Sequence, residues 1–423
     1  MKVLYVVHAN IWDEFSGTPL IAEQYAKEIF KRGWEACILT PSFEDLNFKK
    51  QKIKRINNIS YLSWPRLNNW NLDAFKNISQ NNLRNHDIPF KPDIIHILDW
   101  VNINPSILEE LKFLKVPILK HVFNFEDFCY FISPIYKKKD NNICEAPLSV
   151  NDCSNCIERE NFKNLKFLKK IKYFLLNKKK KKINNLQNKL SDRFKVVQYQ
   201  TQNYYDHLIF PSKSFAKYYF SHLKIKNEYS IISHGIDINS NNKKKEFNKP
   251  IKCIYTGGVS TRKGWKIVEN VIFNICLDNS SSIKFRIYGD KNKTQKSKLK
   301  KFSNVEFFDS FDPKDISNIM QWADIGIAPS SFETYSRIVR EYINFNVIPI
   351  ASNVFGVSDI IKDNINGILI SRPYFENLFL ALKRIINNPH ILTKLRQGTE
   401  KTSIVSKEDE FKEIFDLYKK LIK

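Results

Sequence analysis

Between Asp324 and Ser352 the chain reads as strand, loop, helix, strand, and that order admits few folds. Asp324–Ala328 (DIGIA) is a short apolar run ended by Pro329-Ser330-Ser331, and Val347–Ala351 (VIPIA) is another. Between them, about Tyr335–Asn344 has helical composition and no breaker. A strand that returns through a helix to a second strand is the unit of a parallel α/β sheet. Its helix begins just beyond a strand's carboxyl end, where unpaired N–H groups and the helix dipole favour a phosphate. Two carboxylates flank that start. Glu333 lies in the loop ahead of the helix, and Glu341 lies five residues past Ser336, about 7.5 Å along the axis at 1.5 Å per residue. That span suits a nucleotide diphosphate. Its phosphates would sit at the helix start, Glu341 on the ribose hydroxyls, and Glu333 beside the group being transferred. Taken alone, the two Glu fit an ordinary surface helix equally well.

At 423 residues the chain is too long for one core, so two domains are expected. No apolar run reaches 18 residues, so no spanning helix is predicted. The opening MKVLYVV is cut off by His8, Asn10 and Asp13; it reads as a buried strand, too short for a signal peptide, which predicts a cytoplasmic chain. Seven Cys without a secretory signal point to thiols or a metal rather than disulfides. A formal charge of +24 calls for an anionic partner: nucleotide, membrane surface or nucleic acid. Part of that excess reflects the abundance of Lys throughout.

Val3–Val7 reads as a strand, Leu20–Arg32 as a helix ended by Gly33, and Ala36–Thr40 as the next strand. This βαβ opening suits a Rossmann-like half, although G-x-G-x-x-G is absent. In the loop 8–19, Gly17 would let the backbone approach a phosphate or acceptor, or serve only as a turn. Residues 41–90 are polar and Asn-rich, with Tyr61–Pro65 a candidate strand. Ile94–Leu98 and Val116–Lys120 read as buried strands. His121 stands at the carboxyl end of the second, a better site position than a helix face. Glu126 and Asp127 follow as secondary candidates, while His96 and Asp99 are assigned to packing.

Cys129, Cys144, Cys153 and Cys156 fall within 28 residues, the last two as C-x2-C. Four thiolates suit a tetrahedral structural Zn²⁺ in a loop 129–156 that lacks a core of its own; free thiols are the alternative. In 161–182, Phe162, Leu165, Leu168, Ile171 and Leu175 recur at helical spacing among lysines, and Lys178–Lys182 run unbroken. This pattern fits a helix in an anionic membrane interface, a core-packed helix, or an RNA-binding face. Beyond a polar linker, Ile251–Tyr255 reads as a strand followed by the Gly-rich turn TGGVSTRKGW, which lets backbone N–H groups approach a phosphate. Phe375–Asn387, Pro389–Gly398 and Glu408–Lys423 read as helices.

Glu333-x7-Glu341, then a helix, then VIPIAS resembles the donor-site signature of retaining GT-B glycosyltransferases of the "group 1" set. Residues 353–370 resemble that family's next segment. IISHGID (231–237) resembles the close of its first domain, with Ser and His where the family has Pro and Asn. TGGVSTRKGW resembles the family's G-R-x4-K-G. Gly257, Lys263 and Gly264 match, Gly258 stands at the Arg position, and Arg262 is the candidate substitute.

The resemblance implies an α/β chain of GT-B fold, two Rossmann-like domains facing a cleft. Residues 1–237 would form the acceptor-side domain and 250–405 the nucleotide-sugar domain, with the helix 408–423 crossing back to the first. It implies transfer of a sugar from a nucleotide sugar to a glycan or lipid-linked acceptor hydroxyl, with retention, in cell-surface polysaccharide or glycan synthesis. His121, Glu333 and Lys263 are the implied catalytic set, with His121 facing the donor sugar. Gly17, Gly257, Gly258, Arg262, Lys263, Glu333, Thr334, Tyr335, Ser336 and Glu341 are the implied donor contacts. No catalytic cofactor and no nucleic acid are expected, and the basic stretch would hold the chain peripherally on the inner face of the membrane. The absence of Asp-x-Asp disfavours a metal-held diphosphate. Alternatives are a GT-B phosphorylase or sugar-phosphate synthase, and a basic nucleic-acid-binding protein, which lacks an RNP-type or helix-turn-helix pattern here.

Overall fold

The computed structural model describes residues 1–9, 17–41, 53–56, 59–64, 72–75, 88–100, 105–131, 144, 149–163, 179–239, 247, 249–279, 282–294, 296–371 and 373–423. The chain divides into two compact units. Unit 1 comprises Met1–Pro211, Ala216–Ile232 and Phe411–Lys423; unit 2 comprises Ser212–Phe215 and Ser233–Glu410.

Unit 1 carries an eight-stranded sheet: β1 (Lys2–Val6), β2 (Glu35–Pro41), β3 (Ile53–Ile56), β4 (Ile59–Trp64), β5 (Ile94–Ile97), β6 (Ile118–His121), β7 (His207–Phe210) and β8 (Tyr229–Ile231). Its order is β3-β4-β2-β1-β5-β6-β7-β8, and among the described residues only the β3–β4 pairing is antiparallel. Every residue of β5, β6 and β7 is buried, as helices on both faces of a parallel sheet require. One layer is the helix Gly17–Lys31, which buries Ile21, Ala22, Tyr25, Ala26 and Ile29. The helix Lys407–Ile422 adds Phe411, Ile414, Phe415, Leu417 and Tyr418 to the same core. Tyr418 is locked by a 2.6 Å hydrogen bond between its hydroxyl and His96 Nδ1.

Unit 2 carries six parallel strands: β9 (Ile251–Tyr255), β10 (Ile283–Tyr288), β11 (Val305–Phe308), β12 (Ile325–Ala328), β13 (Ile348–Ser352) and β14 (Ile368–Ile370). Their order is β11-β10-β9-β12-β13-β14. The chain winds one way from β9 through β11 and then reverses to the other side at β12. In such sheets, ligands bind beyond the carboxyl ends of the two strands flanking the reversal. The crossover from β12 to β13 runs through the helix Arg337–Asn344. Gly326 in β12 makes this packing feasible, since a Cβ there would lie 2.5 Å from the Tyr342 ring. The helix is shorter than the Tyr335–Asn344 expected, because Ser336 turns into the left-handed region at φ 62° and ψ 77°.

Candidate functional site

The loops after β9 and β12 meet at the reversal in unit 2. Gly264 allows the approach: it adopts φ +80°, and a Cβ there would lie 2.3 Å from the Pro329 carbonyl oxygen. Ser331 N–H donates to the Arg262 carbonyl at 2.8 Å. Lys263 Nζ then reaches Glu333 Oε1 at 2.5 Å. Two of the residues read as donor contacts, 70 positions apart, are thus in direct contact. Gly257 and Gly258 lie in the same turn, with Gly258 N–H donating to the Tyr288 carbonyl at 3.2 Å. Arg262 lies over the Phe332 ring, 5.7 Å from its centroid.

Arg340 fixes the second loop. It is 4% exposed and stacks on Tyr335 at 3.5 Å. Its guanidinium donates to the Tyr335 carbonyl, to the Ser336 carbonyl at 3.3 Å and to the Gly356 carbonyl at 3.0 Å. The Tyr335 hydroxyl donates to the His234 carbonyl, and the Thr334 carbonyl accepts from Ser212 Oγ at 2.6 Å. Glu341 Oε1 accepts from Arg337 Nε at 2.8 Å. Burial raises the Glu341 carboxyl above the usual range, while Arg337 pulls it down.

Unit 1 reverses direction between β1 and β5, and a second polar group sits there. His8 follows β1 and Asp99 follows β5. The two are bonded through His8 Nδ1 at 2.8 Å and through the His8 N–H at 2.7 Å. Thr18 Oγ1 also donates to Asp99 Oδ2. A carboxylate bonded to Nδ1 fixes the neutral ring with Nε2 as the acceptor. Beside this pair, Lys120 is wholly buried between Glu126 Oε1 at 3.0 Å and Asp127 Oδ1 at 2.5 Å. Trp100 Nε1 and the Tyr219 hydroxyl donate to Asp127 at 3.1 Å and 2.5 Å. Burial pushes the Glu126 carboxyl up to about 7 against the pull of Lys120, with Asp127 and Asp99 adding to the rise. Burial lowers Lys120, but Asp127 and Glu126 outweigh it and hold the ammonium above its ordinary range.

Other sequence candidates sit differently. His121, expected to face a sugar, is 0% exposed and stacks on Phe123 at 4.0 Å and His96 at 5.5 Å. As the last residue of a strand covered on both faces, it faces the packing layer. Gly17 opens a helix at φ +46°, and a Cβ placed on it would meet nothing within 4 Å. Cys129, Cys144, Cys153 and Cys156 form no disulfide. Burial, with smaller contributions from Cys144 and Cys156, raises the Cys129 thiol to about 11. Among the described residues, no three His, Cys, Asp or Glu are gathered as a metal site. Of 161–182, residues 164–178 lie outside the described residues. Among the described residues no helix is long and apolar enough to cross a membrane.

Sequence reasoning missed the His8–Asp99 pair, because only topology joins residues 91 apart.

Two parallel α/β units, the second with facing loops at its reversal, define the GT-B glycosyltransferase fold. Residues 237–402 match the family Glycosyl transferases group 1. It is similar over 155 residues, at 23% identity, to an uncharacterised 41.2 kDa protein in the cps region of Klebsiella pneumoniae. That match spans 34% of this chain and 42% of the relative. Sucrose-phosphate synthase from Thermosynechococcus elongatus superposes with a TM-score of 0.66 at 13% identity, over 99% of this chain and 98% of that one. Anabaena HepE, solved in complex with UDP-glucose, superposes with a TM-score of 0.60 at 11% identity over 100% of both chains.

Proposed function

We propose that the chain transfers a sugar from a nucleotide sugar to an acceptor hydroxyl with retained anomeric configuration. The observation that carries this reading is the Lys263–Glu333 contact at the reversal of unit 2, with Glu341 along the adjoining helix. The bond from the sugar's anomeric carbon to the phosphate oxygen breaks, and its electron pair leaves with the diphosphate. Lys263 is positioned to offset that growing charge, the largest kind of contribution a preorganised site makes. Glu333 is assigned to the sugar and Glu341 to the ribose hydroxyls. The acceptor oxygen bonds to the anomeric carbon as its proton passes to the departing diphosphate, and no nucleophile is assigned. UDP-glucose bound to Anabaena HepE supports a uridine donor. The cps-region relative supports a role in cell-surface polysaccharide synthesis, on a glycan or lipid-linked acceptor.

A thermal-shift panel of UDP-, GDP-, ADP- and CDP-sugars tests the donor. A ligand at 100 times its Kd adds about 2.7 kcal/mol of apparent stability. NMR of the product then reads the anomeric configuration. No shift and no turnover with any donor overturns the reading, and an inverted product overturns retention alone.

Two ancillary proposals remain. The four cysteines would close on a structural zinc ion, which metal analysis at about one per chain supports and an empty protein rejects. The basic stretch 161–182 would hold the chain on an anionic membrane. Equal sedimentation with anionic and neutral vesicles rejects that idea.

A further inference from the structure

We propose that the outer side of one helical layer of unit 2 docks on an anionic lipid bilayer: Leu277 and Leu380 enter the acyl boundary, while Lys298, Lys300 and Lys301 engage headgroup phosphates. This surface is separate from the stretch 161–182, and the proposal does not rest on the donor reading above.

The layer is the helix Trp265–Asn279, with the helix Phe375–Asn387 and the 3-10 helix Lys298–Lys301 both packed against it. The inner sides share one core, to which Val268, Ile272, Leu299, Leu378, Leu382 and Ile385 contribute. The outer sides should then be polar. Instead, Phe273 and Leu277 recur at i,i+4 on the first helix, and Leu380 stands on the second. Leu277 is 58% exposed and Leu380 64%. A single exposed leucine is ordinary on a protein surface. These two are neighbours, because the Asp278–Lys383 ion pair at 2.9 Å ties the residue after Leu277 to one a turn past Leu380. Phe302 lengthens the apolar strip, meeting the Phe273 ring at 5.5 Å.

Charge along this strip is one-sided. Residues 291–301 (KNKTQKSKLKK) carry six lysines and no acid. Lys298 and Lys301 place their ammonium groups over the Phe273 ring, 4.4 and 4.5 Å from its centroid. Lys383 does the same over Phe379 at 5.5 Å. Lys298 also donates to Asn270 Oδ1 at 2.7 Å, a neutral partner, and Lys300 is exposed. Two acids of the layer are engaged: Asp278 by Lys383, and Glu269 by the Ser297 hydroxyl. Glu376 is exposed but outnumbered. Lysine stems laid along aromatic rings let the ammonium groups reach phosphates while apolar neighbours sit deeper. A polyanion such as RNA would use the lysines and leave both leucines in water. An anionic bilayer uses both, and that decides the occupant.

Co-sedimentation of the full chain with phosphatidylcholine vesicles, with and without phosphatidylglycerol, tests the surface. The wild type should pellet with the anionic vesicles alone, and less so as salt rises. Leu277→Ser combined with Leu380→Ser should lower the partition coefficient roughly tenfold. Lys298→Gln, Lys300→Gln and Lys301→Gln together should lower it roughly tenfold or more. These side chains are exposed, so both variants should melt near the wild-type temperature. Wild-type protein left in the supernatant with both kinds of vesicle overturns the proposal. So does pelleting that is lost on replacing Lys178–Lys182 by Gln and kept in both variants above. Full pelleting by the leucine variant, with pelleting lost in the lysine variant, overturns the bilayer in favour of a polyanion.

Discussion

Lys263 Nζ and Glu333 Oε1 are 2.5 Å apart, so an ion pair joins the loop after β9 to the loop after β12. A phosphate arriving there competes with Glu333 for the ammonium. Lys263→Ala should lower kcat with the identified donor by about 10²–10³, in line with loss of one charge-stabilising donor. It also strands a 7%-exposed carboxylate. The double variant Lys263→Met, Glu333→Gln should therefore be more stable to urea than Lys263→Ala alone. Wild-type turnover in both would remove the pair from catalysis.

Glu341→Ala should weaken donor binding by about 1.5–3 kcal/mol, the range for hydrogen bonds to a charged group. Only the ionised carboxylate accepts both ribose hydroxyls. Burial raises its pKa, so donor affinity should fall on acidification from a higher pH than an exposed Glu would give. Calorimetry across pH, repeated with Glu341→Gln, isolates this dependence. A profile shared by both proteins assigns it elsewhere.

Glu126 makes unit 1 sensitive to pH. Its pKa is raised by burial to about 7. A raised folded-state pKa gives stability that is fully present below the unfolded value, near pH 4.5. That stability is lost as pH climbs through about 7. Glu126→Gln should flatten the fall in melting temperature between those limits. The same slope in both proteins would mean that Lys120 holds Glu126 ionised throughout.

Phe415 is 2% exposed in the core of unit 1. Phe415→Ala should cost about 3–5 kcal/mol in chemical unfolding, the usual cost of emptying a buried aromatic site. A cost under about 1 kcal/mol would mean that the helix Lys407–Ile422 is a loose attachment.

The apolar runs DIGIA and VIPIA were legible as strands because both faces of a central parallel strand are covered, which removes polar alternation. The spacing of Glu333 and Glu341 was legible because one helix carries the interval. Harder to read was anything made by reversal of the sheet. His8 and Asp99 are ordinary in sequence and become a pair only because β1 and β5 are neighbours. His121 stands at its strand's carboxyl end, an address for ligands, while its ring is buried against His96 and Phe123. The onset of the Arg337 helix was misplaced because left-handed Ser336 has no signature in composition.

The helix that ends in Ile422 has a consequence for how the protein is made. Unit 1 is interrupted after Ile232 and resumes at Phe411, so its core waits for residues translated after the whole of unit 2. At roughly 5–20 residues per second, the ribosome needs on the order of 10–35 s to cover that gap. During this interval Tyr25 and His96, which the finished fold covers with Phe411 and Tyr418, lack those partners. Unit 2 carries no such debt to a later segment, because nearly all of it is one continuous stretch. It can finish folding on the nascent chain while the older half is still incomplete.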